Sequence, residues 1–243
     1  MLYGADHAEV YDPVFRSRGK DFADEAEQLV TLIRHWSPGA RSLLDVACGT
    51  GAHLATLEEF FDPVAGVEYS PDMLAVARRR LPGRSLHAGD MRDFDLGRTF
   101  DAVTCMGNSV ACMATEAELQ AAVGRMAAHL NPGGVLVVEP WWFPDNFIDG
   151  HVGGHTMHED GRVVSRVTHS REVDGRTRHE VRFTVADGNG IRDFSEVLMQ
   201  TLFTREQYAD AFRGAGCTVE LINGFQLATG RPNSPGLFIG SRS

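Results

Sequence analysis

The chain has 243 residues, with 23 basic and 33 acidic side chains and a net charge of −10. A hydrophobic share of 43% with 23% charged residues is that of a soluble globular protein and excludes a disordered chain. The acidity gives neither nucleic acid nor an anionic membrane a general electrostatic hold.

The charge is uneven. Residues 1–150 hold 12 bases and 22 acids, and residues 151–243 hold 11 of each. Six arginines fall within residues 162–182, against Glu172, Asp174 and Glu180. Lys20 is the one lysine of the chain. Cys48, Cys105, Cys112 and Cys217 form no CxxC pair and read as reduced thiols in a cytoplasmic protein. The polar start of the chain has no apolar signal region, and no apolar run is long enough to span a membrane.

In chain order, Phe22, Ala26, Leu29, Val30 and Ile33 recur at helical spacing and predict a helix over 22–35. Residues 42–46 predict a buried strand, followed by a glycine turn and a helix over 52–60. Residues 64–68 predict a second strand ending in an acid. Ser70-Pro71-Asp72 starts a helix that Pro82-Gly83 stops. A weak third strand covers 85–88 and a fourth covers 100–106. Thr115-Glu116-Ala117-Glu118 is a capping box opening a helix with Leu119, Ala122, Val123, Met126 and Leu130 on one face. Asn131-Pro132-Gly133-Gly134 is a turn before a fifth strand over 135–139. This order predicts an α/β fold with a parallel sheet covered by helices. After Pro140 the segments 162–169, 178–186 and 193–202 alternate and predict an antiparallel meander. Thr204 caps a further helix, and 217–222 with 237–239 predict two last strands returning to the first sheet. His151, His155 and His158 read as loop residues without metal-ligand spacing, and no metal is expected.

The strongest signal is DVACGTG at residues 45–51, between a strand and a helix. Gly49 and Gly51 let the backbone approach a ligand at the strand's carboxyl end. Leu54 stands where a dinucleotide fingerprint wants its third glycine. Glu68, 17 residues after Gly51, suits the two hydroxyls of a ribose. With Gly89-Asp90-Met91 and the Asn131–Gly134 turn in the same order, residues 22–140 resemble the class I S-adenosylmethionine-dependent methyltransferases. The resemblance implies a Rossmann-like parallel-rich sheet with helices on both faces. It implies S-adenosylmethionine as cofactor and S-adenosylhomocysteine as product. It places Ala47, Cys48, Gly49, Thr50, Gly51, His53, Leu54 and Tyr69 around the cofactor. Glu68 falls at its ribose, Asp90 and Met91 at its adenine, and Met106 closes the site.

A closer resemblance rests on Tyr11-Asp12, Arg18-Gly19-Lys20-Asp21, Asp90-Met91-Arg92-Asp93-Phe94, Val138-Glu139-Pro140-Trp141-Trp142-Phe143-Pro144, Arg166-Val167-Thr168-His169-Ser170 and Gly236-Leu237-Phe238. Together they look like the N,N-dimethyltransferases of nucleotide-linked amino sugars, of the desosamine and mycaminose type. This implies a dTDP-amino-deoxysugar as partner, in antibiotic sugar biosynthesis, with the amine methylated twice. It implies a division into 1–140 with 203–243 for the cofactor and an antiparallel insertion, 141–202, for the acceptor. A homodimer is a further implication. Tyr3 matches a tyrosine that contacts the sugar, Tyr11 lies nearer the cofactor, and Arg18 matches a residue that holds the cofactor carboxylate. Cys112 stands near the acceptor nitrogen, where some relatives have His or Tyr. Pro235 stands where relatives have an arginine, which leaves Arg231 as a candidate.

Arginine forks suit the phosphate oxygens of such a substrate. Candidates are Arg166, His169, Ser170 and Arg178, but only residues of like parity share a strand face, so Arg166 and His169 point oppositely. Trp141, Trp142 and Phe143 are expected to wall the sugar and base. No dedicated base is legible, so alignment of methyl and amine is expected to carry the reaction, with Tyr3, His53 or water as proton acceptor. Alternatives are a class I methyltransferase for another small-molecule amine or carboxylate, and a non-enzymatic cofactor-binding protein.

Overall fold

The computed structural model describes residues 3–242. Two sheets carry the chain. The first has seven strands: β1 (Leu43–Val46), β2 (Val64–Glu68), β3 (Ser85–Ala88), β4 (Phe100–Cys105), β5 (Leu130–Val138), β10 (Glu220–Ile222) and β11 (Leu237–Ser241). Their order is β10-β11-β5-β4-β1-β2-β3. Strands β1–β5 run parallel; β11 and β10 return to this sheet beside β5, as expected, and run antiparallel there.

Alternation along the strands feeds two cores. Leu44, Ala65, Val103 and Leu136 face one side, against α5 (Glu116–Ala128) and α6 (Arg205–Gly214). Leu43, Val64, Ala102 and Val135 face the other, against α2 (Phe22–Trp36), the short α3 (Leu54–Leu57) and α4 (Pro71–Arg80). Strands buried on both faces read as continuous apolar runs, and those runs are what made the sheet legible. Two caps hold as predicted: the Ser70 hydroxyl accepts from the Met73 amide at 3.2 Å, and Thr204 with Gln207 closes a capping box. At Thr115 the hydroxyl accepts from the Glu118 amide, but the Glu118 carboxylate takes the Ala114 amide.

The second sheet is a meander of β6 (His151–Glu159), β7 (Arg162–Val173), β8 (Arg176–Asp187) and β9 (Gly190–Thr201). Four strands form where the sequence predicts three. His151, His155 and His158 therefore lie on a strand rather than in a loop. β6 is an edge strand whose only buried side chain is Met157, so it shows no apolar alternation.

A helix that the sequence does not announce, α1 (Ala5–Ser17), packs between the sheets. Val10 and Val14 join Met157, Val164, Val181 and Phe183 in a third core. Its other buried residues include His7 and Asp12, which are polar, and Pro13 interrupts its interior. Buried polar partners hide the helical period. The predicted helix over 52–60 shrinks to α3. Among the described residues no helix is long and apolar enough to cross a membrane.

Candidate active site

A cavity opens at the carboxyl ends of β1, β2 and β4, where parallel sheets bind ligands. The turn after β1 builds its floor. Ala47, Gly49 and Gly51 all take positive φ, at 58°, 57° and 73°. A Cβ on Gly49 would meet nothing within 4 Å, whereas one on Gly51 would lie 3.0 Å from Leu81 of the adjoining α4 segment. Gly49 thus presents bare backbone to the cavity, and Gly51 lets α4 pack close.

Glu68 ends β2 and faces the same space. Its carboxylate accepts from the Gly49 amide at 2.8 Å and the Ser70 amide at 2.7 Å. Burial raises its pKa, and those amides partly oppose the rise. Each oxygen keeps a lone pair for a ligand hydroxyl. Asp90 is gripped by Arg92, at 3.0 Å through Nε and 2.6 Å through Nη2, which holds its carboxyl below the usual range. Asp45 accepts from the Thr104 hydroxyl at 2.8 Å, and burial pushes its carboxyl up to about 6.

The opposite wall comes from α1 and the segment after it. Asp12 bonds both the Thr50 hydroxyl, at 2.7 Å, and Arg80, so α1 is pinned to the glycine turn and to α4. Tyr3 and Tyr11 line the cavity. The Tyr3 carbonyl accepts from the Ser70 hydroxyl at 2.7 Å, and Glu196 holds the Gly4 amide at 3.0 Å. Lys20 and His53 also line the cavity and share one oxygen of the buried Glu25, at 2.6 and 3.0 Å. Burial alone would raise the Glu25 pKa, but these two partners hold it below the usual range.

The rim beyond β4 holds Met106, Gly107, Asn108, Cys112 and Met113. Buried Glu139 accepts from the Gly107 amide at 2.7 Å and from Asn233 at 2.9 Å, tying this rim to the segment before β11. The Thr201 hydroxyl donates to the Met113 carbonyl at 2.6 Å, and Gln200 completes the wall. Burial pushes the Cys112 thiol up to about 11 and lifts the Tyr3 phenol well above its ordinary value.

The cavity gathers Tyr3, Tyr11, Ala47, Cys48, Gly49, Thr50, His53, Glu68, Tyr69, Asp90, Met91, Met106 and Cys112 from the expected set. Other expected residues lie elsewhere. Leu54 packs in the core at 1% exposure, and Gly51 faces α4. Arg18 follows α1 with its guanidinium 5.4 Å from the Phe15 ring, and the cations on the cavity wall are Lys20 and Arg92. Phe143 is fully buried against Tyr208 and Phe238, so it walls no ligand. Trp142 lies 6.5 Å from Trp141, whose indole donates to Thr177 at 3.0 Å. Arg166 and Ser170 face inward with His179, while His169 and Arg178 pair with Glu180 on the outer face. Arg231 is exposed between β10 and β11. Sequence reasoning did not assign Lys20, Asp45 or Gln200 to the wall. Asp45 and Lys20 stood inside quoted motifs, but Gln200 reaches the cavity only through the pairing of β8 with β9.

A glycine turn with its open backbone, a carboxylate held ready by two amides, and an acid after β3 define a class I S-adenosylmethionine-dependent methyltransferase. The methyltransferase domain family matches residues 43–134. The chain is 52% identical to the dTDP-3-amino-3,4,6-trideoxy-α-D-glucopyranose N,N-dimethyltransferase of Streptomyces venezuelae, over 98% of this chain and 99% of that one. It is 48% identical to the dTDP-4-amino-2,3,4,6-tetradeoxy-D-glucose N,N-dimethyltransferase of Saccharopolyspora spinosa, over 100% and 95%. The S-adenosylmethionine-bound structure of CalS10, an amino pentose methyltransferase from Micromonospora echinaspora, superposes with a TM-score of 0.87 at 52% identity, covering 100% of this chain and 99% of that one. The chain belongs to the N,N-dimethyltransferases of dTDP-linked amino sugars.

Proposed function

We propose that this enzyme transfers methyl groups from S-adenosylmethionine to the amine of a dTDP-linked amino-deoxysugar, twice in succession, in the making of an antibiotic sugar. The observation that carries this reading is near-half identity, end to end, with enzymes named for that reaction. The alignment spans the second sheet as well as the first, which a generic methyltransferase match would not.

In this proposal Glu68 takes the ribose hydroxyls, Asp90 the adenine amine with Met91 against the ring, and the Gly49 turn the methionine portion. Lys20 is the cation beside that turn and replaces Arg18 as the carboxylate partner. Residues 1–140 with 203–243 hold the cofactor, and residues 141–202 hold the acceptor. Tyr3 and Cys112 bound the acceptor amine. Arg166 and Ser170 on the inner face of β7 meet the diphosphate, while His169 and Arg178, on the outer face, do not.

Bound S-adenosylmethionine supplies a methyl group already activated on a sulfonium. The chain's work is then to align an amine lone pair with it and to exclude water. Neither the Tyr3 phenol nor the Cys112 thiol ionises near neutrality, which leaves His53 or water to take the amine's proton. The test is incubation with S-adenosylmethionine and dTDP-3-amino and dTDP-4-amino sugars, followed by mass spectrometry. Products heavier by two methyl groups are expected with one of them. Methylation of glycine or a carboxylic acid, with none of any amino sugar, would sink the reading.

A further inference from the structure

The inner face of the second sheet carries a cationic and imidazole cluster that the cofactor cavity does not use. His179 on β8 stands between two partners from β7. Its Nδ1 lies 2.6 Å from the Ser170 hydroxyl, and its Nε2 lies 3.3 Å from Arg166 Nη2. A guanidinium only donates, so Nε2 must be accepting, and His179 is held as the neutral ring with its proton on Nδ1. The arrangement is unusual for its charge. Arg166, half-buried, spends a donor on a neutral ring and pairs with no carboxylate among the described residues. A buried charge without an anion is costly to hold, which marks this as a place awaiting one.

The surroundings add to the demand. The groups that bear on His179 are Arg166 from β7, Arg18 at the end of α1 and His151 from β6, all of them cationic or able to become so. Neutral groups stand beside it as well: Ser170, and the Trp141 ring at 6.2 Å. Burial first, then these cations, push His179 down to about 4, and burial followed by Arg18 pushes Arg166 down to about 10. The cluster also borders the cavity. Tyr3 and Tyr11, both on the cavity wall, lie within electrostatic reach of Arg166. Thr177, on the same face as His179, pairs with the cavity-lining Gln200.

We propose that the substrate's diphosphate takes the Arg166 guanidinium away from His179, and that His179 takes up a proton in the same step and becomes part of the grip. The proposal rests on the nucleotide-sugar reading above. A phosphate oxygen is a far better acceptor for a guanidinium than an imidazole nitrogen. Once Arg166 turns to it, Nε2 is free. Two phosphate charges then replace the neighbouring cations as the dominant field on the ring. The bond broken is Nη2–H···Nε2. The bonds formed are Nη2–H···O–P and, with a proton drawn from solvent, Nε2–H···O–P.

The experiment is titration calorimetry of the enzyme, loaded with S-adenosylhomocysteine, with dTDP-glucose, which carries no amine and is not consumed. Running it in two buffers of different ionisation enthalpy reads the protons taken up. Uptake approaching about one proton per site is expected near pH 6.5, with affinity falling up to about tenfold per pH unit as pH rises through the bound-state pKa of His179. His179→Gln is expected to bind with no uptake and to lose that pH dependence. Unchanged binding of S-adenosylhomocysteine by the variant certifies that it folds. Binding by the wild type without proton uptake would overturn the proposal alone. So would uptake that persists in His179→Gln. Failure of dTDP-glucose to bind at all would overturn the nucleotide-sugar reading together with it.

Discussion

Cys112 and Tyr3 face the space in which we place the acceptor amine, and burial decides what they do there. With the thiol pushed up to about 11 and the phenol raised well above its ordinary value, both keep their protons at neutral pH. Removing a general base typically lowers a rate 10²–10⁴-fold, so Cys112→Ala and Tyr3→Phe are expected to retain kcat within about tenfold. Steady-state kinetics at saturating cofactor and sugar reads this directly. A far larger fall in kcat at unchanged KM would make the residue a base and end the alignment-only account. Asp45 gives a second handle. Its folded pKa of about 6 stands above the ordinary 3.8, so its protonated form is the one the fold favours. That contribution is fully present below about pH 3.8 and is lost as pH rises to about 6; above it the fold bears a buried carboxylate at a cost of up to about 3 kcal/mol. Asp45→Asn, which still accepts from Thr104, is expected to raise the melting temperature of the cofactor-free protein at pH 8. The gain should shrink toward pH 5. An equal gain at both values would show that Asp45 is not the group titrating.

At the level of elements, what could be read from the sequence followed from how local each signal was. The Gly49 turn, the Ser70 and Thr204 caps and the apolar runs of β1, β2 and β4 each lie within a few consecutive residues, and each was found where expected. α1 and β6 were not found, for related reasons. α1 buries Asp12 through partners at positions 50 and 80, so its inward face does not read as apolar. β6 is flanked by solvent on its outer face and carries glycines at positions 153 and 154. The same logic applies to the site. Glu68 and Asp90 stand in the cavity and motifs carry them, whereas only the fold shows that Lys20, and not Arg18, lines it. The dependence of α1 on distant partners makes a prediction. Asp12→Ala strips Arg80 and the Thr50 hydroxyl of a shared anion. Breaking a buried ion pair costs about 3–5 kcal/mol, and the lower end applies here because Arg80 keeps some contact with water. Hydrogen exchange should then quicken across residues 5–17 more than elsewhere, with weaker cofactor binding. Uniform quickening over the whole chain would mean that Asp12 serves global stability rather than the docking of this helix.

Over the whole molecule, the acidity lies toward the amino-terminal part of the chain. Residues 1–150 carry the entire net −10, and a sulfonium cofactor has no need of a basic surface. The neutral remainder turns Arg166 and His179 inward on one sheet face while Arg178 and His169 turn outward to Glu180. Clustering of arginine in the sequence therefore overstates the site: alternation puts Arg171, Arg178 and Arg182 on the outer face. If the first sheet holds the cofactor and the second the acceptor, mutations should sort cleanly by sheet. Loss of a hydrogen bond to a charged group is worth about 1.5–3 kcal/mol, or roughly 10- to 150-fold. Arg166→Ala is expected to raise KM for the nucleotide sugar by that factor and to leave the dissociation constant of S-adenosylmethionine unchanged. Glu68→Ala is expected to weaken the cofactor by a similar factor and, at saturating cofactor, to leave the sugar KM unchanged. Arg178→Ala, on the outer face, should move neither constant. The decisive comparison is Arg166 against Arg178, since both are strand arginines in one sheet and differ in the face they occupy. Equal effects from the two would mean that net positive charge, and not a built contact, draws the diphosphate to this sheet.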